Sequence, residues 1–225
     1  ISRIDTFHIF FNLNKIIQLF NNFILIRCYM GIIKTFFPSS NSIISVWKIE
    51  ESIDELREIS KESTDIKNEI KEMEYYASRE ALKNGCKKLG IDFIGIKKDS
   101  NGKPHLKNNC AEISISHKFP YAVVMISKDR ACGVDIEKID KKVLTIKDKF
   151  LNHDEAVYIG KSVKKATKYW AIKEAIYKIE GETVAFKKII IKVLTSKNQF
   201  ACRIDEKNYI TETNELDKHI IAYTT

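Results

Sequence analysis

Two segments of the chain share one helical pattern, and this repeat constrains the fold more than any other feature. Residues 76–82 (YASREAL) and 170–176 (WAIKEAI) both run aromatic, Ala, any residue, basic, Glu, Ala, aliphatic. A strand-like segment precedes each helix, at residues 45–51 and 133–139. The repeat predicts a pseudo-dimer of two similar α/β halves with a ligand cleft at their junction, because duplicated units pack against each other. The alternative is a chance similarity over seven positions.

Composition places the chain among ordinary globular proteins. It has 225 residues, 44% hydrophobic and 30% charged, which is typical of a soluble chain with a sizeable core. The net charge of +8 favours an anionic partner, such as a nucleic acid, a phosphorylated cofactor or an acidic protein. Five cysteines are scattered and lack CxxC spacing, so we expect reduced thiols and a cytoplasmic location.

The first 29 residues differ in character from the rest, being rich in Ile, Phe and Asn, and the first methionine is Met30. We expect residues 1–29 to be an upstream extension outside the core fold. The alternatives are a membrane-surface anchor or an extra packed helix. The apolar run at residues 16–26 is too short to span a bilayer, so no membrane span is expected. The two halves are then residues 30–128 and 129–225.

From residue 30 onward the chain alternates between strand and helix patterns. Helices are predicted over residues 65–89, 153–159 and 166–180, and a turn over 99–103 (DSNGK). Strands are predicted at residues 42–49, 113–116, 122–127 and 132–139. Residues 186–223 are predicted to form a small antiparallel sheet with a turn at 197–198.

Three acidic residues in the second half have the pattern of a metal site. Asp135 and Glu137 alternate along the predicted strand, so both point to one side, about 6–7 Å apart. Glu174 can supply a third carboxylate from the predicted helix. Carboxylates beside lysines suit Mg²⁺ carrying a pyrophosphate. Only one such site is expected, because Trp47 and Ile49 occupy the equivalent positions of the first repeat.

The spacing along the predicted helix separates a chemical face from a core face. Trp170, Glu174 and Lys178 are four residues apart and share one face. On an isolated helix, Glu174 and Lys178 would be interpreted as a solvated ion pair, but the strand acids favour a functional role. We interpret Trp170 as packing. The core face is formed by Ile172, Ile176 and Ile179.

The ordered motifs NGKP, SISH, GVDIE and WAIKEAIYK resemble the 4′-phosphopantetheinyl transferases of the surfactin-synthetase-activating type. The resemblance covers residues 30–225. It implies an α+β pseudo-dimer in which each half is a small antiparallel sheet on a long helix. It also implies Mg²⁺-dependent transfer of 4′-phosphopantetheine from coenzyme A to a serine of an acyl or peptidyl carrier protein, releasing adenosine 3′,5′-bisphosphate.

The resemblance also implies roles for individual residues. Asp135, Glu137 and Glu174 would hold Mg²⁺, and Glu174 would take the proton from the carrier serine. Lys173 and Lys178 would contact the pyrophosphate. Further coenzyme A contacts are implied for Arg79 on the 3′-phosphate, for Ser116 and His117 on the phosphates, and for Gly102, Lys103 and Pro104 against the adenine. The family's upstream lysine pair has no counterpart in register, and Lys67 and Lys71 are its substitutes.

Two other function classes stay open at this point. A metal-dependent nuclease also needs an aspartate, a glutamate and a lysine around Mg²⁺, but its glutamate and lysine would lie two apart on a strand. A non-catalytic relative could bind coenzyme A or a carrier protein without turnover. We favour the transferase, acting as a monomer on an acidic carrier protein and not on nucleic acid.

Overall fold

The computed structural model describes residues 31–181, 184–194 and 198–225. Residues 1–29, which are predicted to be an upstream extension, lie outside these ranges. Residue 197 of the predicted turn at 197–198 also lies outside them. The helices are α1 (Ile53–Ser60), α2 (Glu69–Lys88), α3 (Lys147–Phe150), α4 (His153–Ile159) and α5 (Val163–Glu180), with 3₁₀ turns at Lys141–Thr145 and Phe186–Lys188. The strands are β1 (Ile32–Ser39), β2 (Ser42–Lys48), β3 (Ile96–Lys98), β4 (Pro104–Leu106), β5 (Glu112–Lys118), β6 (Tyr121–Ser127), β7 (Val134–Lys138), β8 (Ile190–Val193), β9 (Gln199–Ile204), β10 (Lys207–Leu216) and β11 (His219–Thr224).

The chain forms a mixed α/β structure with two main antiparallel sheets. The first sheet has the order β1-β2-β6-β5, and the second has the order β7-β11-β10-β9-β8. Helix α2 packs on β2 and β6, whereas α5 packs on β7 and β11. A two-stranded β3-β4 hairpin projects from the first unit. None of the helices in the described ranges combines the length and hydrophobicity that a bilayer crossing requires.

Capping side chains set where the long helices begin. Asn68 accepts a hydrogen bond from the backbone N–H of Lys71, so α2 starts at Glu69 rather than at the predicted residue 65. Ser162 caps α5 through Lys165 in the same way, and that helix therefore begins before the predicted residue 166. Gly181 ends α5 with a φ of +87°, a conformation that glycine adopts without strain.

The two sheet units have the same connectivity around their long helices. In each, a strand leads into the long helix, and a later hairpin places its second strand beside that first one: β2 pairs with β6, and β7 pairs with β11. Trp47 lies opposite Ala122, and Asp135 lies opposite Ala222, while the equivalence of Trp47 and Asp135 stays a prediction. Descent of the halves from a duplication stays a prediction.

The two sheets meet through apolar packing and a polar seam. One buried cluster contains residues from both sheets: Ile44, Val46, Tyr121, Val123, Met125, Cys132, Val134, Ile136, Ile221 and Tyr223. At the edge of β7, the backbone N–H groups of Val134 and Ile136 donate to the hydroxyls of Ser114 and Ser116, at 3.0 and 3.3 Å. These bonds satisfy buried donors of an edge strand and fix β7 against β5. The site described next lies at this seam.

Candidate active site

A close approach between β7 and α5 positions the acidic residues. A Cβ atom added at Gly133 would lie 1.9 Å from the carbonyl oxygen of Ala175, so only glycine allows this contact. The strand therefore starts directly against the helix. As a result, the outward side chains of β7 face the same side of α5 that carries Glu174 and Lys178.

Asp135 is the most enclosed acid of the site, with 4% of its surface exposed. Its Oδ1 accepts hydrogen bonds from Ser116 Oγ and Lys178 Nζ, both at 2.8 Å. Lys178 Nζ also donates to the carbonyl oxygen of Val134 at 2.9 Å. Within the described residues, Asp135 Oδ2 is buried and has no hydrogen-bond partner. A buried carboxylate oxygen without a donor is costly unless a cation or proton joins it.

Glu137 lies two residues further along β7 and is held by two donors. Trp170 Nε1 donates to Glu137 Oε1 at 3.0 Å, and Lys118 Nζ lies 2.9 Å from Glu137 Oε2. Burial lowers the pKa of Lys118, but the hydrogen bond and charge of Glu137 outweigh it and raise that pKa. The indole of Trp170 thus does more than pack, because it also orients a candidate ligand.

Glu174 has a pKa raised from 4.5 to about 7. Burial is the largest cause, the charge of Asp135 is the second, and Glu137 adds to it, while Lys178 acts in the opposite direction. A like charge raises a carboxyl pKa only at short range. Asp135 and Glu137 therefore lie near enough to act on Glu174 electrostatically, and the joint metal site of the three acids stays a prediction. A carboxyl with this pKa can accept a proton near neutral pH.

These residues could supply part of the ligands of Mg²⁺. Within the described ranges, no three His, Cys, Asp or Glu side chains are grouped closely enough to hold a metal by themselves. Mg²⁺ does not need such a cage, since it is usually bound by one or two carboxylates, by water and by substrate phosphates. The buried Oδ2 of Asp135 is a suitable oxygen donor, because it has no other partner in the described chain.

The GKP turn faces the same cleft as Lys178. This cleft has a volume of about 360 Å³, and its walls include Gly102, Lys103, Pro104, Tyr177 and Lys178. The turn is built by an aspartate, because the backbone N–H groups of Asn101 and Lys103 both donate to Asp99 Oδ1 at 2.9 Å. Gly102 has a φ of +80°, which favours glycine. The structure therefore brings the predicted turn and the predicted phosphate lysine together.

The SH pair at the end of β5 points in two directions. Ser116 faces β7 and is engaged with Asp135. His117 lies on the opposite face, where its Nδ1 is 2.9 Å from Glu74 Oε2 on α2. Alternation along a strand explains this split. Their contacts with coenzyme A phosphates stay predictions.

The structure contradicts the predicted role of Lys173. The sequence assigned it to pyrophosphate, but its side chain is fully buried, at 0% exposure. Its Nζ donates to Glu155 Oε2 at 2.6 Å and to the carbonyl oxygens of Phe150 and Phe186 at 2.8 and 3.1 Å. All three ammonium protons are used, so Lys173 ties α5 to the segments before and after it and cannot contact an anion in the cleft.

Arg79 is not brought to the cleft that contains Lys178. Its guanidinium stacks 3.8 Å above the ring of Tyr75 and lies 4.0 Å from Glu62. It lines a separate cleft of about 630 Å³ together with Lys83 and Lys107. The structure thus gives no support to the predicted 3′-phosphate contact of Arg79. Of the two substitute lysines, Lys67 is exposed, and Lys71 lies beside His117 through a shared partner, Glu74.

Two residues of the site were missed by sequence reasoning. Lys118 neutralises Glu137, and Glu74 holds His117. Lys118 directly follows the SISH motif, so its position was a usable signal. Glu74 is 43 positions away from His117 in the chain, and nothing in its local pattern separates it from an ordinary surface glutamate.

Comparison with known families adds independent support for this region. Residues 131–224 match the model of the 4′-phosphopantetheinyl transferase superfamily. No curated protein matches the chain significantly. The matched segment contains Asp135, Glu137, Glu174 and Lys178, whereas the GKP turn and the SH pair precede it. The match supports a transferase at the level of the superfamily and does not distinguish the surfactin-synthetase-activating type.

Proposed function

We propose that the protein transfers 4′-phosphopantetheine from coenzyme A to a serine of an apo carrier protein in a Mg²⁺-dependent reaction. The observation that carries this proposal is the contact of one face of α5 with both strand acids: Lys178 lies 2.8 Å from Asp135, and Trp170 donates to Glu137 at 3.0 Å. Glu174 lies between Trp170 and Lys178 on the same helix face. The coupled acids lie beside the cleft that contains Lys178 and the GKP turn. A superfamily match over residues 131–224, which include the three acids and Lys178, supports it.

The reaction needs one proton removed and one leaving group stabilised. The serine oxygen of the carrier forms a bond to the phosphorus that bears pantetheine, and the bridging P–O bond breaks. Adenosine 3′,5′-bisphosphate leaves with the electron pair. Glu174 takes the serine proton, since a pKa of about 7 suits a general base at neutral pH.

Other side chains bind and orient the reactants. Asp135 and Glu137, with Glu174, would hold Mg²⁺, which when bound offsets negative charge on the diphosphate. Lys178 lines the cleft and supplies a positive charge where negative charge develops on the leaving group. The GKP turn would accept the adenine. We assign Lys173 a structural role and remove it from this set.

A second cleft gives a carrier protein access to the same acids. Glu137 and Trp170 line another cleft, of about 560 Å³, whose lining has more lysines than acids: Lys118, Lys138 and Lys142 against Glu137 and Asp140. Lysines at a cleft mouth favour an acidic partner. This arrangement supports entry of an acidic carrier protein from this side, with coenzyme A in the other cleft. We extend the proposal to a cytoplasmic monomer of the surfactin-synthetase-activating, duplicated type.

Intact-mass measurement on a panel of apo carrier proteins tests the proposal. Incubation with coenzyme A and Mg²⁺ should add one phosphopantetheine to at least one carrier, and Glu174→Gln should not. A protein that binds coenzyme A without modifying any carrier would instead be the non-catalytic relative. Mg²⁺-dependent cleavage of DNA without carrier modification would identify the nuclease.

A further inference from the structure

Another cleft lies on the second half, where the start of α5 meets the outer strands of the second sheet. It has a volume of about 410 Å³, and it is lined from the end of α4, the start of α5, and strands β8 and β9. It shares no described lining residue with the clefts beside Lys178 and Glu137. Lys178 is thirteen residues beyond Lys165 on α5, which is about 20 Å at about 1.5 Å per residue. This cleft is therefore separate from the candidate active site.

The interior of this cleft is aromatic and its rim is apolar. Tyr169 and Phe200 form the floor, since only 4% and 2% of their surfaces are exposed. Their rings meet edge to face, with centroids 6.4 Å apart. At the rim, Tyr158 is 50% exposed and Val193 is 43% exposed. Exposed apolar side chains around a recessed apolar floor are typical of a surface that binds another molecule.

Three lysines of α5 line the cleft: Lys164, Lys165 and Lys168. No acidic side chain is among the described residues that line it. Lys165 Nζ lies 4.1 Å from the centre of the Tyr158 ring, and Lys168 Nζ lies 5.6 Å from the centre of the Phe200 ring. Aromatic rings orient an ammonium group without neutralising its charge. The cleft therefore presents positive charge beside apolar surface.

These positive charges repel one another in the folded protein. Lys164 and Lys168 are four residues apart on α5, so like charges share one side of the helix. The first turn of α5 contains no acidic residue, and the helix dipole opposes lysines at that end. Burial and the charge of Lys164 lower the pKa of Lys168, whereas Glu215, 2.5 Å from Lys164, acts in the opposite direction. An anion that entered the cleft would relieve this repulsion.

Two classes of anionic macromolecule fit the cleft poorly. Single-stranded nucleic acids stack their bases on open aromatic faces, but Lys165 covers the ring of Tyr158, and Tyr169 and Phe200 are almost fully buried. A bilayer takes up protruding apolar side chains and cannot reach a recessed floor. A polypeptide can place one apolar side chain in the cleft and set acidic side chains beside the lysines.

We propose that this cleft binds an acidic polypeptide segment, with one apolar side chain in the cleft and its carboxylates beside Lys164 and Lys168. The proposal does not rest on the proposed function, because none of the lining residues belongs to the candidate active site. It gives the protein a surface for a protein partner apart from the cleft beside Glu137 and Trp170.

Fluorescence anisotropy with a fluorescein-labelled peptide tests the proposal. The probe has glutamates around one central phenylalanine and is about twelve residues long, which extends to about 40 Å. The parent protein should bind it, and binding should weaken as the salt concentration rises. Replacing the phenylalanine by glycine, or all the glutamates by glutamine, should each weaken binding about tenfold.

Variants of the lysines locate the bound probe. Lys164→Gln combined with Lys168→Gln should weaken binding about tenfold, since two positive charges are lost. Glu215→Gln should strengthen it about twofold, because this acid no longer competes for Lys164. Lys128→Gln combined with Lys149→Gln removes two charges from exposed positions elsewhere and is the matched control. Lys168→Gln alone should not lower the unfolding temperature, because it removes a repulsion, so its loss of binding is not a loss of folding.

The remaining outcomes would overturn the proposal. These are no binding of the probe by the parent, or unchanged affinity in the variant that lacks Lys164 and Lys168. Loss of binding in Lys142→Gln would instead assign the probe to the cleft beside Glu137. Tighter binding of an oligothymidylate of the same length, or of phosphatidylserine vesicles, would assign these lysines to nucleic acid or to a membrane. Carrier modification enters none of these measurements, so the proposed function stands or fails separately.

Discussion

Lys178 Nζ lies 2.8 Å from Asp135 Oδ1, so the residue expected to contact phosphate is paired with a candidate metal ligand. The pair is partly enclosed, with 26% and 6% of the two side chains exposed. Because Lys178 also borders the cleft with the GKP turn, a small movement of its flexible side chain would bring the ammonium to a bound diphosphate. The same lysine therefore links the acids to the cleft.

Replacing Lys178 tests this link. Lys178→Met should lower kcat about a hundredfold, because a positive charge is lost where negative charge develops in the transition state. Binding of coenzyme A should change much less. Rates are measured by intact mass of the carrier, and Lys207→Met, which removes an exposed lysine paired with Glu180, is the control.

Glu174→Gln should reduce transfer by at least about a hundredfold, because the amide keeps the shape but cannot accept the serine proton. Coenzyme A affinity should be nearly unchanged in the absence of metal. Single-turnover rates with saturating coenzyme A measure the loss. Turnover near that of the parent would remove Glu174 from the role of base.

The raised pKa of Glu174 also predicts a dependence of stability on pH. The pKa of Glu174 is 4.5 in the unfolded chain and about 7 in the folded protein, so the folded state binds the proton more tightly. The stability contributed by this group is fully present below pH 4.5 and is lost as the pH rises through 7. Glu174→Gln should lack this loss and should be more stable than the parent at pH 8. The difference should be on the order of 2 kcal/mol after allowance for partial exposure.

Urea unfolding of both proteins at several pH values measures the effect. Added Mg²⁺ should reduce the difference at pH 8, because the ion stabilises the ionised carboxylates in the parent. A gap between parent and variant that does not vary with pH would contradict the assignment of the raised pKa.

Lys118 predicts a competition between a lysine and the metal. Its ammonium neutralises Glu137, so Lys118→Met should lower the Mg²⁺ concentration needed for half of the maximal thermal stabilisation. Asp135→Asn should raise that concentration, because it removes a carboxylate oxygen. Thermal unfolding across a Mg²⁺ series is the measurement. Lys128→Met removes an exposed lysine just beyond β6 and should leave the Mg²⁺ series unchanged.

The structural role of Lys173 predicts a loss of stability and no loss of ligand binding. Lys173→Met leaves Glu155 buried without an opposite charge, which should cost about 3 kcal/mol or more in the free energy of unfolding. Coenzyme A affinity of the folded fraction should not change. Replacing both Lys173 and Glu155 by Met should cost less than the sum of the single changes. A variant of normal stability with weakened coenzyme A binding would restore the original interpretation.

Local sequence patterns were sufficient for much of the second half. The strand predicted at 132–139 is β7, at Val134–Lys138, and the predicted helix over 166–180 is α5, at Val163–Glu180. Alternation in a strand and the 3.6-residue helical period are local properties, so the faces of Asp135, Glu137, Glu174 and Lys178 could be derived from spacing. Strand β1 and helix α1 were not predicted from the sequence, although Ser52 and Glu55 form a capping box at the start of α1.

Tertiary structure alone decided which partners the charged residues have. The helical period shows that Lys173 and Lys178 lie on different faces of α5. It does not show that Glu155 contacts the face that carries Lys173. The pairing of Glu74 with His117 likewise joins a helix to a strand 43 positions later, through the packing of α2 on the first sheet. The sequence by itself determined which residue types share a side of each element. Which of those sides faced a cleft, a buried acid or solvent depended on long-range packing, because a buried charge is stable only where distant residues supply its partners.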